Sequence, residues 1–500
     1  MWERLSAAAR DSFSASPPRD APDAPPTQPA PKVTAEAIVC LFGVHFHNRR
    51  GNEVSWSCAS SSAPPAVRRA GFLDGVEFKA MPSGVDKLEE DFVLFRQRDL
   101  YGLAVFSARR AASDARGAIY HSVGALATEH GALAAVANGL RDAAEALNAA
   151  PEGDRPAVYA ALEARYRSGD LALDAAPRDD EDDLSVLRGS LGNLAFFYGA
   201  SVFTLWKAVL LRRRILFYSP VPVGIVCERA HAVSGLLAHS LDPSVAPLLA
   251  APEDELLFVN VADLDDLAAR RTYVACTSEK VLADKTRAYD VFVDNRRVVV
   301  AGDGAARGAP VTPPEDHIPG EDRDADDDLV FPFLNSVVFG ERTRRRHRAF
   351  GARRGSVTAP RVVADDDSAL ALTEGDRLRW RAMRRRMQTR GAAVGGATAD
   401  LDAVVADAFG AANDRVLEGL LVAARTGVDV TTLSSFEGFG LHRSDRAFLR
   451  ALADELRVDH PGFKDSATWT SDATRTPSRP PRPPRDSWTA TPKRQAPPLP

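Results

Sequence analysis

The sequence predicts a mixed α+β and α/β fold with a helical C-terminal part, and three observations indicate this class. Alternating apolar residues form hairpin patterns in the first third. Short apolar strands alternate with helices in the middle, and only helical periodicity follows residue 370. Because single cores stop growing at about 250–300 residues, a 500-residue chain is expected to hold several packed parts. Apolar and charged fractions of 45% and 26% are typical of globular proteins.

The first part, residues 34–150, has the pattern of an antiparallel sheet with helices, which is an α+β unit. Two hairpins are predicted from strands at residues 38–46, 53–58, 92–96 and 101–106. Thr128 is expected to cap the helix that follows. The apolar stripe predicted for that helix consists of Leu133, Val136, Ala137, Leu140, Ala144 and Leu147.

The second part, residues 186–301, has the pattern of an α/β unit. One long helix, apolar nearly all round, is predicted over about residues 184–213 and should be deeply packed. Short apolar strands are predicted at residues 215–218, 256–261, 273–276, 289–294 and 297–300. Because apolar strands of this length alternate with helices, we expect a mostly parallel sheet that is buried on both faces.

The third part, residues 369–460, shows helical periodicity alone. Its helices are predicted at residues 374–390, 401–409, 413–424 and 444–456, with Ser444 placed to cap the last. The remaining segments are predicted to be disordered Pro-rich tails at 1–33 and 461–500, a linker at 151–185 and a charged disordered insertion at 302–368.

Several kinds of chemistry have no motif in this sequence. There is no phosphate-binding Gly-Lys loop, no HExxH metal motif and no GxSxG nucleophile motif, and the net charge of −5 lacks a nucleic-acid footprint. His45 and His47 share a strand face, but no third ligand stands near them in the sequence. The four cysteines are widely spaced, which favours buried thiols. We therefore expect no metal and no cofactor.

The sequence also predicts the cellular location of the protein. No window of about 18 apolar residues indicates a membrane span, and the N-terminus has no apolar signal core. The expected location is cytoplasmic, with peripheral contact to membranes considered below. From the residues alone, the chain is interpreted as a protein that binds other proteins.

Three sequence blocks together resemble the DENN domain family, most closely its LCHN branch, the DENN domain-containing protein eleven type. The central block is an apolar helix that feeds an R-I-L-F-Y-S strand. The blocks comprise residues 73–84 with 91–96, then 205–220, and then 258–263 with 273–280 and 289–295. The resemblance covers roughly residues 36–301 and 370–458.

The resemblance implies a tripartite module: an N-terminal longin-like lobe at 34–150, a central α/β lobe at 186–301 and a helical downstream part. Such modules act as guanine nucleotide exchange factors for Rab-type small GTPases, which they bind between the two lobes. No cofactor is implied. Our candidates for contact with the GTPase are polar residues at the ends of the central strands, namely Tyr218, Ser219, Asn260, Asp263, Thr277 and Glu279.

Two further features predict partners. The helix over 374–390 carries seven arginines against two carboxylates, which is most typical of a solvated face over a packed apolar stripe. The functional alternative is contact with anionic lipid or an acidic partner, for which the candidates are Arg377, Arg381, Arg384 and Arg385. The C-terminal tail matches PxxPxR and RxxPxxP patterns, which SH3 and WW domains recognise as polyproline II helices. These motifs are carried by Pro480, Pro483, Arg485, Arg494, Pro497 and Pro500.

Two alternatives to exchange activity remain open at this stage. One is a scaffold or effector that binds a GTPase without accelerating exchange. The other is a subunit of a GTPase-activating complex, which would need an arginine presented to the transition-state phosphate. Arg49, Arg50 and Arg109 lie near loops of the first part and are the candidates for that arginine.

Overall fold

The computed structural model describes residues 37–84, 88–110, 118–169, 190–237, 255–294, 297–301, 361–364, 368–393, 398–426 and 442–459. The strands are β1 (Ile38–His47), β2 (Gly51–Ala59), β3 (Glu90–Gln97), β4 (Leu100–Arg110), β5 (Ala118–Ala127), β6 (Arg214–Tyr218), β7 (Glu255–Phe258), β8 (Tyr273–Thr277), β9 (Val291–Val293), β10 (Arg297–Val300) and β11 (Arg361–Val363). The helices are α1 (Val76–Ala80), α2 (His130–Ala149), α3 (Arg155–Ser168), α4 (Leu191–Tyr198), α5 (Val202–Leu210), α6 (Gly224–Ala232), α7 (Leu264–Ala269), α8 (Glu374–Ala393), α9 (Thr398–Thr426) and α10 (Arg446–Asp459).

The described strands all belong to one mixed sheet in the order β11-β10-β9-β6-β8-β7-β3-β4-β5-β1-β2. Strands β1 to β5 are antiparallel, whereas β6 to β9 are parallel to one another. The predicted mixed α/β class is therefore confirmed. The sequence patterns did not indicate that the two groups of strands join edge to edge.

The antiparallel half contains both predicted hairpins and a strand that the sequence patterns missed. Strand β5 pairs with both β1 and β4 along nearly its whole length. It carries no clean alternation because eight of its ten residues are buried. The predicted stripe of α2 is buried, but Thr128 does not cap this helix: Glu129 precedes its first turn, and the Thr128 hydroxyl donates to the Ala37 carbonyl at 3.4 Å.

The long helix predicted over residues 184–213 is two helices. A short 3-10 turn at Gly199–Ser201 separates α4 from α5, and the Ser190 hydroxyl caps α4 by accepting the Asn193 amide at 2.9 Å. Residues 191–210 have the length and hydropathy of a membrane span, yet 89% of this stretch is buried inside the fold. Its apolar character is therefore explained by packing between the sheet and the helical layer.

The two halves of the sheet are held together by buried contacts. Strand β3 runs parallel to β7, with Phe95 opposite Phe258. The Asp91 carboxylate on β3 accepts the backbone amides of Val223 and Gly224 at 2.5 and 3.2 Å, at the first turn of α6. A carboxylate at a helix N-terminus satisfies amides that have no partner within the helix. These contacts fix the position of one half relative to the other.

The C-terminal helices form a layer on α4 and α5. The two helices predicted at 401–409 and 413–424 are one helix, α9, which packs on α4 and α8. Trp206 on α5 lies between Phe409 and Phe448, at centroid distances of 6.2 and 5.3 Å. Its indole also donates to the Asn413 side-chain oxygen at 2.7 Å. The helical layer and the central half thus share one apolar core.

A buried group of charges also joins this layer to α5. Lys207 donates to Asp376 at 2.5 Å, and both side chains are fully buried. Arg379 bridges Asp376 and Asp445 at 2.7 and 2.8 Å. Ser444 does not cap α10 as predicted: it lies in the preceding 3-10 turn, where its hydroxyl accepts the Gly375 amide.

One helix of the predicted linker and one strand of the predicted insertion belong to the packed part of the chain. Helix α3 lies within the predicted linker, where Tyr159 stacks on Trp56 of β2 at 4.9 Å. Strand β11 lies at the end of the predicted insertion and extends the sheet beside β10. Both segments are therefore packed against the sheet. The two predicted Pro-rich tails lie outside the described residues.

Candidate functional site

A groove of about 410 Å³ lies between the two halves of the sheet. Residues of β1, β2, α1, β4 and β5 form its first wall. Its second wall comes from the loops after β7 and β8, which end at the same edge because these strands are parallel. The lining residues are Phe46, Asn52, Phe78, Met81, Pro82, Ser83, Gly84, Phe106, Tyr120, Asn260, Val261, Ala262 and Glu279.

The loop after β7 is held by its own capping box. The Asn260 side-chain oxygen accepts the Ala262 amide at 2.9 Å, and Asp263 accepts the Asn260 amide at 3.0 Å. Two predicted candidates therefore lie together, but their polar groups are used to shape the loop. The consequence is that Val261, at the first position of this turn, is presented to solvent with 48% exposure.

Glu279 connects the two walls. Its carboxylate accepts the Val261 amide at 2.7 Å and the Ser83 hydroxyl at 3.3 Å. Thr277, which is fully buried, holds the start of this loop by accepting the Glu279 amide at 3.1 Å. Of the predicted candidates, Asn260 and Glu279 thus line the groove, while Asp263 and Thr277 position the loops that carry them.

The last two candidates lie at the end of β6, outside the groove lining. Tyr218 stacks on Phe292 with 6.0 Å between ring centroids, and burial, followed by the Asp294 charge, raises the pKa of its hydroxyl. Ser219 donates its amide to the Thr277 carbonyl at 3.2 Å and its hydroxyl to Pro220 at 3.0 Å. Both residues support the strand ends beside the groove.

The first wall was missed by the sequence patterns because its residues are far apart in the chain. Tyr120 stacks on Phe106 at 6.0 Å and meets Phe46 edge-on at 6.2 Å. The Asn52 amide donates to the carbonyl oxygens of Glu77 and Met81 at 3.4 and 3.2 Å, which ties α1 to β2. Aromatic residues on alternate strand positions were the available signal, but they are equally typical of a core.

The rim of the groove exposes large apolar side chains. Phe78 on α1 is 56% exposed on one side, and Val261 is 48% exposed on the other. Val281, two residues beyond Glu279, is 47% exposed. Phe78 and Val261 therefore leave one large apolar side chain exposed on each wall of the groove.

Charge at the rim is mixed. The Lys79 ammonium donates to the Arg96 carbonyl at 2.8 Å; burial lowers its pKa, and the charges of Asp263 and Asp266 oppose that shift. Asp266 also pairs with Arg270 at 2.8 Å. One carboxylate of the turn after β7 and one of α7 thus act on the Lys79 ammonium of α1.

The groove has the chemistry of a binding surface. Its polar side chains are two amides, two hydroxyls and one carboxylate, which belong to Asn52, Asn260, Ser83, Tyr120 and Glu279. Both amides, the Ser83 hydroxyl and the carboxylate bond to the protein itself. Among the described residues, no group of three or more His, Cys, Asp or Glu side chains is placed to hold a metal. The His45 ring lies 6.4 Å from the His47 ring and 6.4 Å from the His121 ring, measured between ring centroids.

The candidate arginines of the basic helix lie on α8, in the helical layer. Arg377, Arg381 and Arg385 are exposed, and Arg384 is half-buried. Arg377 lies 3.8 Å from Glu374. The structure does not bring these residues to the groove. The proline-motif candidates of the tail lie outside the described residues.

Comparison with known proteins identifies the part of the chain that carries the groove. The sequence profile of the family described as DENN domain-containing protein 11 matches residues 41–302. DENN domain-containing protein 11 of Xenopus laevis is 34% identical over 288 residues, which cover 54% of this chain and 62% of that protein. The Rattus norvegicus protein of the same name is 33% identical over 286 residues, covering 53% and 59%.

The Danio rerio protein of that name is 33% identical over 284 residues, which cover 53% of this chain and 54% of the relative. The chain therefore spans less than two thirds of the length of these relatives. The matched region holds nine of the described strands, most of β1 and every residue that lines the groove. The resemblance predicted from the sequence blocks is thus confirmed, and the chain belongs to the DENN domain-containing protein 11 family.

Proposed function

We propose that the groove binds a Rab-type small GTPase and that the chain promotes release of GDP, as a guanine nucleotide exchange factor in membrane trafficking. The observation that carries this proposal is the pair of exposed apolar side chains, Phe78 and Val261, on opposite walls of one groove. Membership of the family supports it, since DENN modules act on GTPases of this class. The proposed site of action is the cytoplasm, at membrane surfaces.

The proposed arrangement is tripartite. Residues 34–150 form the longin-like lobe, residues 186–301 form the central lobe, and residues 369–460 form the helical downstream part. The contacts of Asp91 with α6 and of β3 with β7 support a groove whose two walls keep a fixed separation. A GTPase segment would then contact both lobes at once, between Phe78 and Val261.

Exchange requires no bond-making group from this chain. A factor shifts its GTPase only by the difference between its affinities for the nucleotide-free and the GDP-bound states. Rigid apolar walls bind most tightly the conformation of the GTPase loops that fits between them. Fully burying a Phe or Val side chain contributes about 1.5–3 kcal/mol, so the half-exposed Phe78 and Val261 would contribute about 1 kcal/mol each.

The test measures GDP release and GTP hydrolysis with the full chain across a panel of purified Rab GTPases, using a fluorescent GDP analogue. Accelerated release by at least one member is expected. Val261→Asp and Phe78→Asp should each reduce that acceleration at least about tenfold, because a charge replaces apolar area at the contact. Leu378→Asp is the matched control: Leu378 is 46% exposed on α8, away from the groove, and its substitution should leave release unchanged.

Other outcomes assign the alternatives. Binding that changes neither release nor hydrolysis would identify a scaffold or effector, and faster hydrolysis would identify a GTPase-activating subunit. Arg50, a candidate for the activating arginine, is 63% exposed and pairs with Glu53 at 2.7 Å. If no panel member binds, or if Leu378→Asp is as harmful as Val261→Asp, the groove proposal is wrong.

A further inference from the structure

A second concave site lies in the helical layer and shares no residue with the groove. It is a cavity of about 150 Å³ between α5, α8 and α9. Four alanines of α8 and α9 border it, and their short side chains leave space between the helices. They are Ala382, Ala408, Ala411 and Ala412. The proposed exchange function uses none of these residues.

The floor of the cavity is aromatic and apolar. Phe203 and Phe409 lie 5.1 Å apart between ring centroids, and Trp206 closes the floor beside them. Met383 and Val416 complete it with exposures of 3% and 1%. An apolar cavity of about 150 Å³ is large enough to hold one benzene ring. The space therefore fits a single aromatic side chain.

The mouth of the cavity is positively charged. Arg386 and Arg415 line it from α8 and α9, and both side chains are exposed. Arg379 also borders the cavity, but Asp376 and Asp445 neutralise it at 2.7 and 2.8 Å. Its guanidinium lies 5.5 Å from the centre of the Phe203 ring, so it forms part of the wall. The free positive charge at the mouth belongs to the two exposed arginines.

We propose that this cavity is a docking site for an acidic peptide segment of a partner protein, anchored by one aromatic side chain. The ring enters the cavity and rests on Phe203 and Phe409, which contact each other at 5.1 Å between centroids and offer edge-to-face contacts from the floor. Carboxylates on either side of the anchor pair with Arg386 and Arg415. Recognition of acidic motifs by arginines around one buried anchor is a recurrent mode of peptide binding.

The geometry favours a peptide over a membrane. An interfacial helix must place its own apolar face in the lipid. On α8, Met383 and Met387 are instead buried at 3% and 1% exposure, and the helix packs on α9. Trp380 is partly buried against the same core, so that Leu378, at 46% exposure, is the one large apolar side chain that the described part of α8 leaves exposed. A ring-sized cavity also holds only a fraction of a lipid acyl chain. The positive charge at the mouth and the size of the cavity together therefore favour an aromatic side chain with carboxylates on either side of it.

The experiment uses the full chain and three labelled synthetic peptides, measured by fluorescence polarisation. The first is EDDFEDE, the second replaces its Phe with Ala, and the third, KRRFKRK, reverses its charges. The Phe peptide should bind at least about tenfold more tightly than the Ala peptide, because the anchor supplies the buried contact. The basic peptide should not bind. Binding should weaken as the salt concentration rises.

Matched variants locate the site. Ala382→Leu fills the cavity from an exposed helix position and should weaken the Phe peptide at least about tenfold. Ala403→Leu, an exposed position of α9 outside the cavity lining, should not. Arg386→Glu should abolish binding. Arg377→Glu lies nine residues away, or about 13.5 Å along the helix, beyond the Debye length of about 8 Å, and should have little effect.

Three results would overturn the proposal. Equal binding of the Phe and Ala peptides would show that only surface charge is read. Equal losses for Arg377→Glu and Arg386→Glu would show the same. Cosedimentation with vesicles of phosphatidylserine and phosphatidylcholine, without binding of the Phe peptide, would assign the arginines to lipid. These measurements contain no GTPase, so their outcome is independent of the exchange activity.

Discussion

Asp376→Asn tests how the helical layer is attached to the central half. The carboxylate accepts Lys207 at 2.5 Å, Arg379 at 2.7 Å and the Thr373 amide at 2.9 Å. Without its charge, the fully buried Lys207 ammonium keeps the Ala371 carbonyl at 3.1 Å. Breaking a buried pair by removing one partner costs about 3–5 kcal/mol.

The pH dependence of this cost follows from Lys207. Burial lowers the pKa of its ammonium from the ordinary value of 10.5, and Asp376 opposes the shift. Without Asp376 the pKa falls further, so the unfolded chain binds the proton more tightly than the folded one, and stability rises with pH towards 10.5. In folded Asp376→Asn, loss of the Lys207 proton lowers the free energy of unfolding by at most about 4.8 kcal/mol at pH 7 and about 2 kcal/mol at pH 9.

Urea denaturation followed by tryptophan fluorescence at pH 7 and pH 9 measures this cost. The decrease in the free energy of unfolding caused by Asp376→Asn should fall to about 2 kcal/mol or less at pH 9. Lys207→Met is the control, because Asp376 then keeps Arg379 and Thr373, and the double variant has no ammonium to titrate. An Asp376→Asn loss below about 1 kcal/mol at pH 7 would refute the reasoning, as would the same pH dependence in the double variant.

Three other predictions concern buried positions. Burial first, and then neighbouring positive charges, lowers the pKa of His121 from 6.5 to about 3, so stability present above pH 6.5 is lost as the pH falls, by about 2 kcal/mol at pH 5; His121→Leu should remove that share of the loss in acid denaturation. Gly124→Ala should cost about 1–3 kcal/mol in urea, because its Cβ would overlap the Phe42 ring. Asn413→Leu should lower the free energy of unfolding by about 1–3 kcal/mol in thermal denaturation, because the buried Trp206 indole N–H loses its acceptor at 2.7 Å. For Gly124→Ala or Asn413→Leu, a decrease smaller than about 0.5 kcal/mol would contradict the prediction.

Local patterns predicted most strands but failed where burial removes alternation. Strand β6 and its neighbours β8 and β9 are short apolar runs and were predicted within a residue or two. Strand β5 was missed because it contains small residues that do not alternate with polar ones. Gly124 is one of them, and the Phe42 ring packs so close to it that a Cβ has no room. The break between α4 and α5 was also missed, because apolar periodicity continues through the 3-10 turn.

The candidate site was predicted on one wall only. Strand-end positions after β7 and β8 indicated Asn260 and Glu279, because parallel strands bring their C-terminal ends to one edge. Phe78 and Ser83 were not predicted, and the contact of Ser83 with Glu279 joins residues that are 196 positions apart in the chain. Exposure of Phe78 likewise has no local signal, because the same side chain in a short helix is equally typical of a core.

The sequence by itself determined the class of fold, the order of its parts and the family, because these follow from periodicity and from blocks of neighbouring residues. Tertiary structure alone decided that both groups of strands form one sheet and that the groove opens between them. It also decided that Arg379 and Arg386 of α8 border a ring-sized cavity, which none of the four predicted arginines of that helix lines. The physical reason is that each of these features depends on contacts between residues far apart in the chain, whose energies no local pattern records.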